Sequence, residues 1–276
     1  MTGTARPETR VQEKATDGAI ELLARRDRLV VLASLALLAI LAWAYTVLMA
    51  LHGAEGHQHA GMAGMVMDAW KPWTATEGAL MFLMWIVMMA AMMFPSAAPM
   101  LLAFARIGRA RAPAAALMSS STAFLLGYLA LWAVFSVFAA TAQGLLHAAA
   151  LLSPSMASAS PIFSGAVLIA AGTYQFTPLK GICLAKCRMP LAFLLAEWRD
   201  GSRGAFVMGL RHGFYCVGCC WVLMTLLFVA GVMNLVWIAF LALVVLAEKA
   251  LPHGQWVGRV LGIAAVAWGA WLLAFA

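Results

Sequence analysis

The chain has 276 residues, of which 64% are hydrophobic and 11% are charged, against about 45–50% and about 25% in soluble domains. This composition excludes an ordinary soluble globular protein and indicates an integral membrane protein. The formal net charge of +7 is explained below by orientation in the membrane, so it gives no reason to invoke nucleic acid as a partner.

Apolar stretches along the chain predict about seven transmembrane segments, since each crossing needs about 20 apolar residues. They lie at roughly 29–51, 78–104, 114–147, 161–179, 205–230, 234–251 and 257–276. All should be helices, because lipid offers no partner for backbone N–H and C=O groups. The expected fold is an all-α, polytopic transmembrane helical bundle over 29–276. A flexible cytoplasmic tail is expected at 1–28 and an external loop at about 52–77.

Basic residues predict the orientation of this bundle. If the N-terminus is cytoplasmic, Lys71 alone among the 18 Lys and Arg residues falls on the outer side. Cytoplasmic segments of membrane proteins carry an excess of Lys and Arg. The sequence therefore predicts a multi-pass protein with its N-terminus inside and, after seven crossings, its C-terminus outside.

The external loop is rich in histidine and methionine, in the sequence HGAEGHQHAGMAGMVMDAW. Imidazole suits Cu(II), Zn(II) and Ni(II), whereas thioether suits Cu(I), so the mixture favours copper. The alternative is a loop in which these side chains are incidental. The candidate residues for external metal capture are His52, His57, His59, Met62 and Met65, followed by Met67.

Methionines recur at helical spacing on the second predicted helix. One stripe follows steps of three and four residues, and two further methionines form a neighbouring ridge. Neutral thioethers can line a buried path without burying charge, and they prefer Cu(I) or Ag(I) to hard cations. The alternative is that methionine fills helix interfaces. The proposed metal path comprises Met81, Met84, Met88 and Met92 in the stripe, with Met89 and Met93 beside it.

All five cysteines of the chain lie in two short motifs, GICLAKCRMP and YCVGCCW. Positions three and four apart share one face of a helix, and both motifs lie on the predicted cytoplasmic side, where thiols stay reduced. Soft thiolates favour Cu(I), Zn(II) or iron–sulfur clusters. The alternative is that these cysteines pack as small apolar side chains. The candidate metal ligands are Cys183, Cys187, Cys216, Cys219 and Cys220, with His212 one turn earlier.

Polar residues near the inner helix ends are predicted to support this cluster. They are Tyr174, Gln175, Lys180 and Glu248. We expect Glu248 to pair with Lys180 or Arg188 or to take part in proton movement, and Lys249 to extend its ammonium to the membrane interface. Asn234 is expected to cap the sixth predicted helix.

Together, these segments form a series of soft ligands from an outer loop through a helix to an inner cluster. The series predicts that copper is captured outside, moves as Cu(I) and is received inside; zinc and iron are the alternative metals. Two other functions stay open: an assembly factor that holds a metal for a partner, and a membrane subunit of a metal-dependent oxidase or oxygenase. The Glu-x-x-His pairs of a di-iron site are absent from the sequence, which weighs against the oxidase. Expected partners are the lipid bilayer, the metal ion, a periplasmic metal donor or partner membrane protein, and further copies of the chain.

Several motifs also carry a family resemblance. They are MWIVMMAAMMFPSAAPM, GYLALW, AGTYQFTPLKGICLAKCRMP and CVGCCWVLMTLLFVAGVMNLVWIAFLALVVLAEK. Over roughly residues 78–250 the chain resembles the bacterial family described as predicted metal-binding integral membrane proteins, a domain of unknown function. The resemblance implies a metal-binding protein of the bacterial inner membrane, with the five cysteines as hallmark positions. It implies no reaction, and the His/Met loop lies before the matched region.

Overall fold

The computed structural model describes residues 29, 32–48, 50–51, 74–109, 111, 113–153 and 157–276. This part of the chain is built of packed α-helices, and its one β-type pairing is an isolated bridge between Leu152 and Ser158. The predicted all-α class is therefore confirmed. The predicted tail at 1–28 and most of the predicted external loop, residues 52–73, lie outside the described residues.

The helices follow one another with short connections over most of the described chain. They are α1 (Leu32–Leu48), α2 (Ala75–Arg109), α3 (Ala114–Ala148), α4 (Pro161–Tyr174), α5 (Pro178–Arg188), α6 (Pro190–Glu197), α7 (Gly201–Thr225), α8 (Leu227–Ala230), α9 (Leu235–Ala250) and α10 (Gly254–Ala274).

Four helical segments of the described chain are long and apolar enough to cross a membrane: α2, α3, α7 together with α8, and α10. A fifth is added if α4 and α5, which are bent by 63° at their junction, form one broken span. This count differs from the expected number of about seven. The difference arises at α1 and α9, because α9 has only 16 residues and the described part of α1 is similarly short, whereas a full crossing needs about 20.

Helix α2 begins with a capping box. The backbone N–H of Thr74 donates to the Glu77 carboxylate at 2.7 Å, and the Glu77 N–H donates to the Thr74 hydroxyl at 3.3 Å. This reciprocal pairing satisfies backbone donors that a helix start leaves free. The helix then continues through Pro95 and Pro99 to Arg109.

The predicted span 161–179 is interrupted, and the reason is local. Helix α4 ends at Tyr174, and Thr177 caps the next helix by accepting the Lys180 N–H at 3.3 Å. Pro178 occupies the first position of α5, where its missing N–H costs nothing and its fixed φ suits a helix start. The break turns the segment that carries Cys183 into a separate helix.

Helix α9 begins as the sequence predicted. Gly231 adopts a φ of 101°, and the Asn234 side chain accepts the Trp237 N–H at 3.2 Å. A positive φ is accessible to glycine at little cost because it has no Cβ. The predicted cap at Asn234 is therefore confirmed.

Helices α2, α3 and α7 continue beyond the level at which α9 ends. Lys249, in the last turn of α9, reaches Ser96 of α2 and Cys216 of α7. From that level α2 continues for about 20 Å to Arg109, at about 1.5 Å per residue. The cysteines of α7 thus lie at mid-length of the long helices.

Glycines allow α4 and α10 to approach closely. A Cβ at Gly172 would lie 2.6 Å from the carbonyl oxygen of Gly262, and one at Gly165 would lie 2.9 Å from that of Gly269. Small residues at such crossings let helix backbones pack against each other in membranes.

We predict that Gly172→Ala destabilises the protein by about 1–3 kcal/mol, because the added methyl group must displace backbone rather than a flexible side chain. Thermal unfolding of the full chain in detergent micelles measures this. Gly78→Ala is the control, since no atom lies within 4 Å of its added Cβ. Equal unfolding temperatures for the two variants would contradict the prediction.

Candidate metal centre

Helix α7 buries three cysteines on one face. Cys216, Cys219 and Cys220 are each 1% exposed. The thiols of Cys219 and Cys220 donate to the Cys216 carbonyl oxygen at 3.1 and 3.0 Å. This local bonding follows from the i+3 and i+4 spacing, which places each thiol over the preceding turn.

Helix α5 adds a fourth thiol to this face. The Cys187 side chain is half-buried and packs against the core cluster that contains Cys216, Cys219 and Cys220. Cys183 is 4% exposed and lies against the α7 backbone, where its sulfur would be 2.8 Å from a Cβ placed on Gly218. All five cysteines are free thiols. Tertiary packing therefore brings the two sequence motifs together, with Cys187 and the α7 cysteines forming what we call the thiol cluster.

Lys249 enters this cluster rather than extending to the interface. Its ammonium donates to Cys216 Sγ at 3.0 Å and to Ser96 Oγ at 3.2 Å. The expected interfacial position is therefore wrong. A sulfur and a hydroxyl supply the hydrogen bonds that an ammonium needs away from water, and the cation stabilises negative charge on the neighbouring sulfur.

Tyr128 of α3 is a further contact that the sequence did not predict. Its hydroxyl lies 3.1 Å from Cys216 Sγ and the side chain is 1% exposed. The signal was present in GYLALW, where Tyr128 and Trp132 are one turn apart on a face that is buried. Polar aromatic residues on a buried helix face usually find a hydrogen-bond partner.

His212 lies one turn before Cys216 and is 3% exposed. Its ring is surrounded by those of Phe124, Tyr128 and Phe193, with centroids 6.1, 5.6 and 5.8 Å away. The Nδ1 atom has no hydrogen-bond partner. A buried imidazole nitrogen without a partner is unusual, because buried polar atoms are nearly always satisfied. It is chemically available as a ligand.

The methionines of α2 face the interior of the bundle. They pack in the same core cluster as Cys183, Cys216, Cys219 and Cys220. Near the other end of the stripe, the Trp85 indole donates to Gln143 Oε1 at 2.6 Å. The buried methionines of this cluster are Met84, Met88, Met89, Met92 and Met93, and Met81 is partly buried against them, whereas Met100, also buried, packs in a separate core cluster.

The supporting polar residues form a network beside the cluster. Lys180 pairs with Glu248 at 2.5 Å and also donates to Gln175 Oε1. The Tyr174 hydroxyl donates to the Gly218 carbonyl oxygen at 2.5 Å. This network joins α4, α5, α7 and α9. Of the two expected partners of Glu248, the structure selects Lys180.

The cluster is not arranged as a finished metal site. Among the described residues, no group of three or more His, Cys, Asp or Glu side chains has the disposition of a metal-binding set. In the thiol cluster this agrees with Cys219 and Cys220 directing their thiols to a carbonyl oxygen. The predicted outer ligands His52, His57, His59, Met62 and Met65, and also Met67, lie outside the described residues.

No curated protein and no solved structure matches the chain significantly. A family model described as PpoB2, copper chaperone, matches residues 82–272. The match covers the five cysteines, His212 and most of the α2 methionines. It supports a copper-related family rather than specifically the domain of unknown function that the motifs resembled. The chain therefore belongs to the PpoB2 copper chaperone family.

Proposed function

We propose that this protein is a membrane-embedded copper chaperone that binds Cu(I) at the thiol cluster and holds it for a partner. The observation that carries the proposal is the packing of Cys187 from α5 against the core cluster that contains Cys216, Cys219 and Cys220 from α7. Buried reduced thiols are soft ligands, and soft ligands select Cu(I). Membership of a copper chaperone family supports the choice of metal.

Binding would begin from the hydrogen-bonded arrangement of the free thiols. Cys219 and Cys220 would rotate away from the Cys216 carbonyl oxygen, and thiol protons would be released as the metal binds. Lys249 would then balance negative charge on Cys216, at the 3.0 Å separation seen here. His212 would offer Nδ1 from the preceding turn of α7 as a further ligand.

Copper movement across the membrane is a second candidate function, and the burial of the α2 methionines favours it. A stripe that faced lipid would not serve as a path, whereas Met88 and Met92 are each 1% exposed. Ser96, one turn after Met92 on α2, contacts Lys249, which also contacts Cys216. In this proposal the N-terminus is cytoplasmic in the bacterial inner membrane, and the outer His/Met loop passes copper to the stripe.

We predict that Cys216→Ser and Cys187→Ser each remove most of the bound copper, because both side chains belong to the thiol cluster. Cys183→Ser should retain more, since that sulfur packs against the α7 backbone at Gly218. Elemental analysis of the purified full chain after anaerobic loading with Cu(I) gives the copper-to-protein ratio. Wild-type copper content in Cys216→Ser would refute the proposed site.

We predict that Lys249→Met weakens Cu(I) binding about tenfold or more, because a charge-assisted hydrogen bond contributes about 1.5–3 kcal/mol. Competition with a chromophoric Cu(I) chelator measures the affinity. Lys186→Met is the matched control, since Lys186 is exposed on α5. The same loss in both variants would indicate a general charge effect instead.

We predict that Met88→Leu combined with Met92→Leu separates binding from movement. The fold should persist, because Leu and Met have similar volumes and such swaps cost less than about 1.5 kcal/mol. The variant should bind copper at the cysteines when loaded in detergent, yet lose most Cu(I) uptake in sealed vesicles. Unchanged uptake would leave the methionines a packing role and favour a chaperone without flux.

A further inference from the structure

A cationic cavity lies on the side of α5 next to its cysteine face. It has a volume of about 520 Å³ and is bounded by the end of α4, by α5 and by the first turns of α10. Lys180, Arg188 and Arg259 line it, and its lining residues include no aspartate or glutamate. The charge of the lining is therefore positive, which favours an anionic ligand.

The three basic residues that line the cavity have different partners. Lys180 is paired with Glu248 at 2.5 Å. Arg188 uses Nη2 to donate to the carbonyl oxygens of Leu251, at 2.6 Å, and Pro252. This anchors its guanidinium, a fork of five N–H donors, beside the cavity. The Arg259 guanidinium is stacked over the Trp256 ring at 4.9 Å. Arg188 and Arg259 thus line the same cavity, and no carboxylate is among its lining residues.

The backbone adds to this positive field. Helix α5 begins at Pro178 and α10 begins at Gly254, and residues of both first turns line the cavity. The first turn of a helix carries a partial positive charge. The hydrogen-bond donors for a ligand would come from the arginines, since Pro178 has no N–H and the N–H groups of Lys180 and Gly254 already donate to Thr177 and Leu251. A guanidinium suits a phosphate, which accepts two parallel hydrogen bonds from it.

We propose that this cavity binds a phosphate group, carried either by an anionic lipid headgroup or by a soluble anion. The surroundings suit a lipid, since Phe176 and Leu179 next to the cavity are 52% and 57% exposed and Trp256 is 55% exposed. Apolar and aromatic side chains beside a basic pocket are typical of headgroup sites at a membrane interface. The proposal does not rest on copper binding.

A ligand bound in the cavity would help to fix the position of α5. Lys180, Leu184 and Arg188 line the cavity at steps of four residues, and Cys183 and Cys187 form the adjacent ridge of the same helix. A phosphate held between α5 and α10 would therefore fix the helix that presents Cys187 to α7. This makes the cavity a binding site that stabilises the bundle beside the thiol cluster.

The test uses the full chain in nanodiscs under three conditions: phosphatidylcholine alone, phosphatidylcholine with phosphatidylglycerol, and phosphatidylcholine with added inorganic phosphate. The unfolding temperature is measured in each, and native mass spectrometry counts retained phosphatidylglycerol. Arg259→Gln removes an exposed guanidinium, and Arg188→Gln is the second variant. Lys186→Gln removes the same charge from a position outside the cavity lining.

We expect phosphatidylglycerol to raise the unfolding temperature of the wild type and of Lys186→Gln. Arg259→Gln and Arg188→Gln should need about tenfold more of the ligand for the same rise, as expected for loss of one charge-assisted contact. A response to phosphatidylglycerol alone assigns the ligand to lipid, and a response to inorganic phosphate as well assigns it to a soluble anion. No response in the wild type, or an equal response in Arg259→Gln and Lys186→Gln, overturns the proposal.

Discussion

The contact between the Lys249 ammonium and the Cys216 thiol is the interaction around which the described bundle is arranged. It joins the end of α9 to the middle of α7, and through Ser96 it also reaches α2. Tyr128 brings α3 to the same sulfur at 3.1 Å. The Lys249 side chain is partly buried, and an ammonium withdrawn from water is costly unless it is hydrogen-bonded. The helices that supply its partners are therefore constrained to meet at this point.

A fully buried ion pair, Lys180 with Glu248, adds to this arrangement from the residue next to Lys249. Lys180 and Glu248 are 3% and 1% exposed. Removing one partner from such a pair leaves an uncompensated buried charge, which is strongly destabilising. Glu248 and Lys249 are adjacent in sequence, so the last turn of α9 serves two neighbouring polar centres. Glu248 pairs with Lys180 of α5, and Lys249 contacts Cys216 of the thiol cluster.

The mixture of long and short helices accounts for the depth of the site. Helices α2, α3 and α7 continue beyond the level at which α9 ends. The α7 thiols therefore lie near the middle of these long helices but next to the last turn of the shorter α9. The α7 thiols are thus buried and lie near the C-terminal end of α9. The buried methionines of α2 pack in the same core and carry neutral, soft side chains.

The phosphate site and the thiol cluster share α5 but use different chemistry. The guanidinium groups beside the cavity favour a hard oxyanion, whereas the thiols favour a soft metal. Because adjacent ridges of one short helix present the two sets, an anion on one side would influence the position of Cys187 on the other. A local helix break at Pro178 makes this possible, since it frees α5 from the axis of α4.

Composition, helical periodicity and contacts within a few residues were enough to predict apolar helices long enough to span a membrane and the Asn234 cap, and they mark the cysteine motifs as candidate soft ligands. Only long-range packing shows that α5 brings Cys183 and Cys187 to the α7 cysteines, that Lys249 turns inward, and that Tyr128 takes part. It also decided that α4 and α5 form a bent pair. Long-range packing selects among partners that periodicity leaves equivalent, because a buried charge or thiol must take the hydrogen-bond partner that neighbouring helices bring within reach.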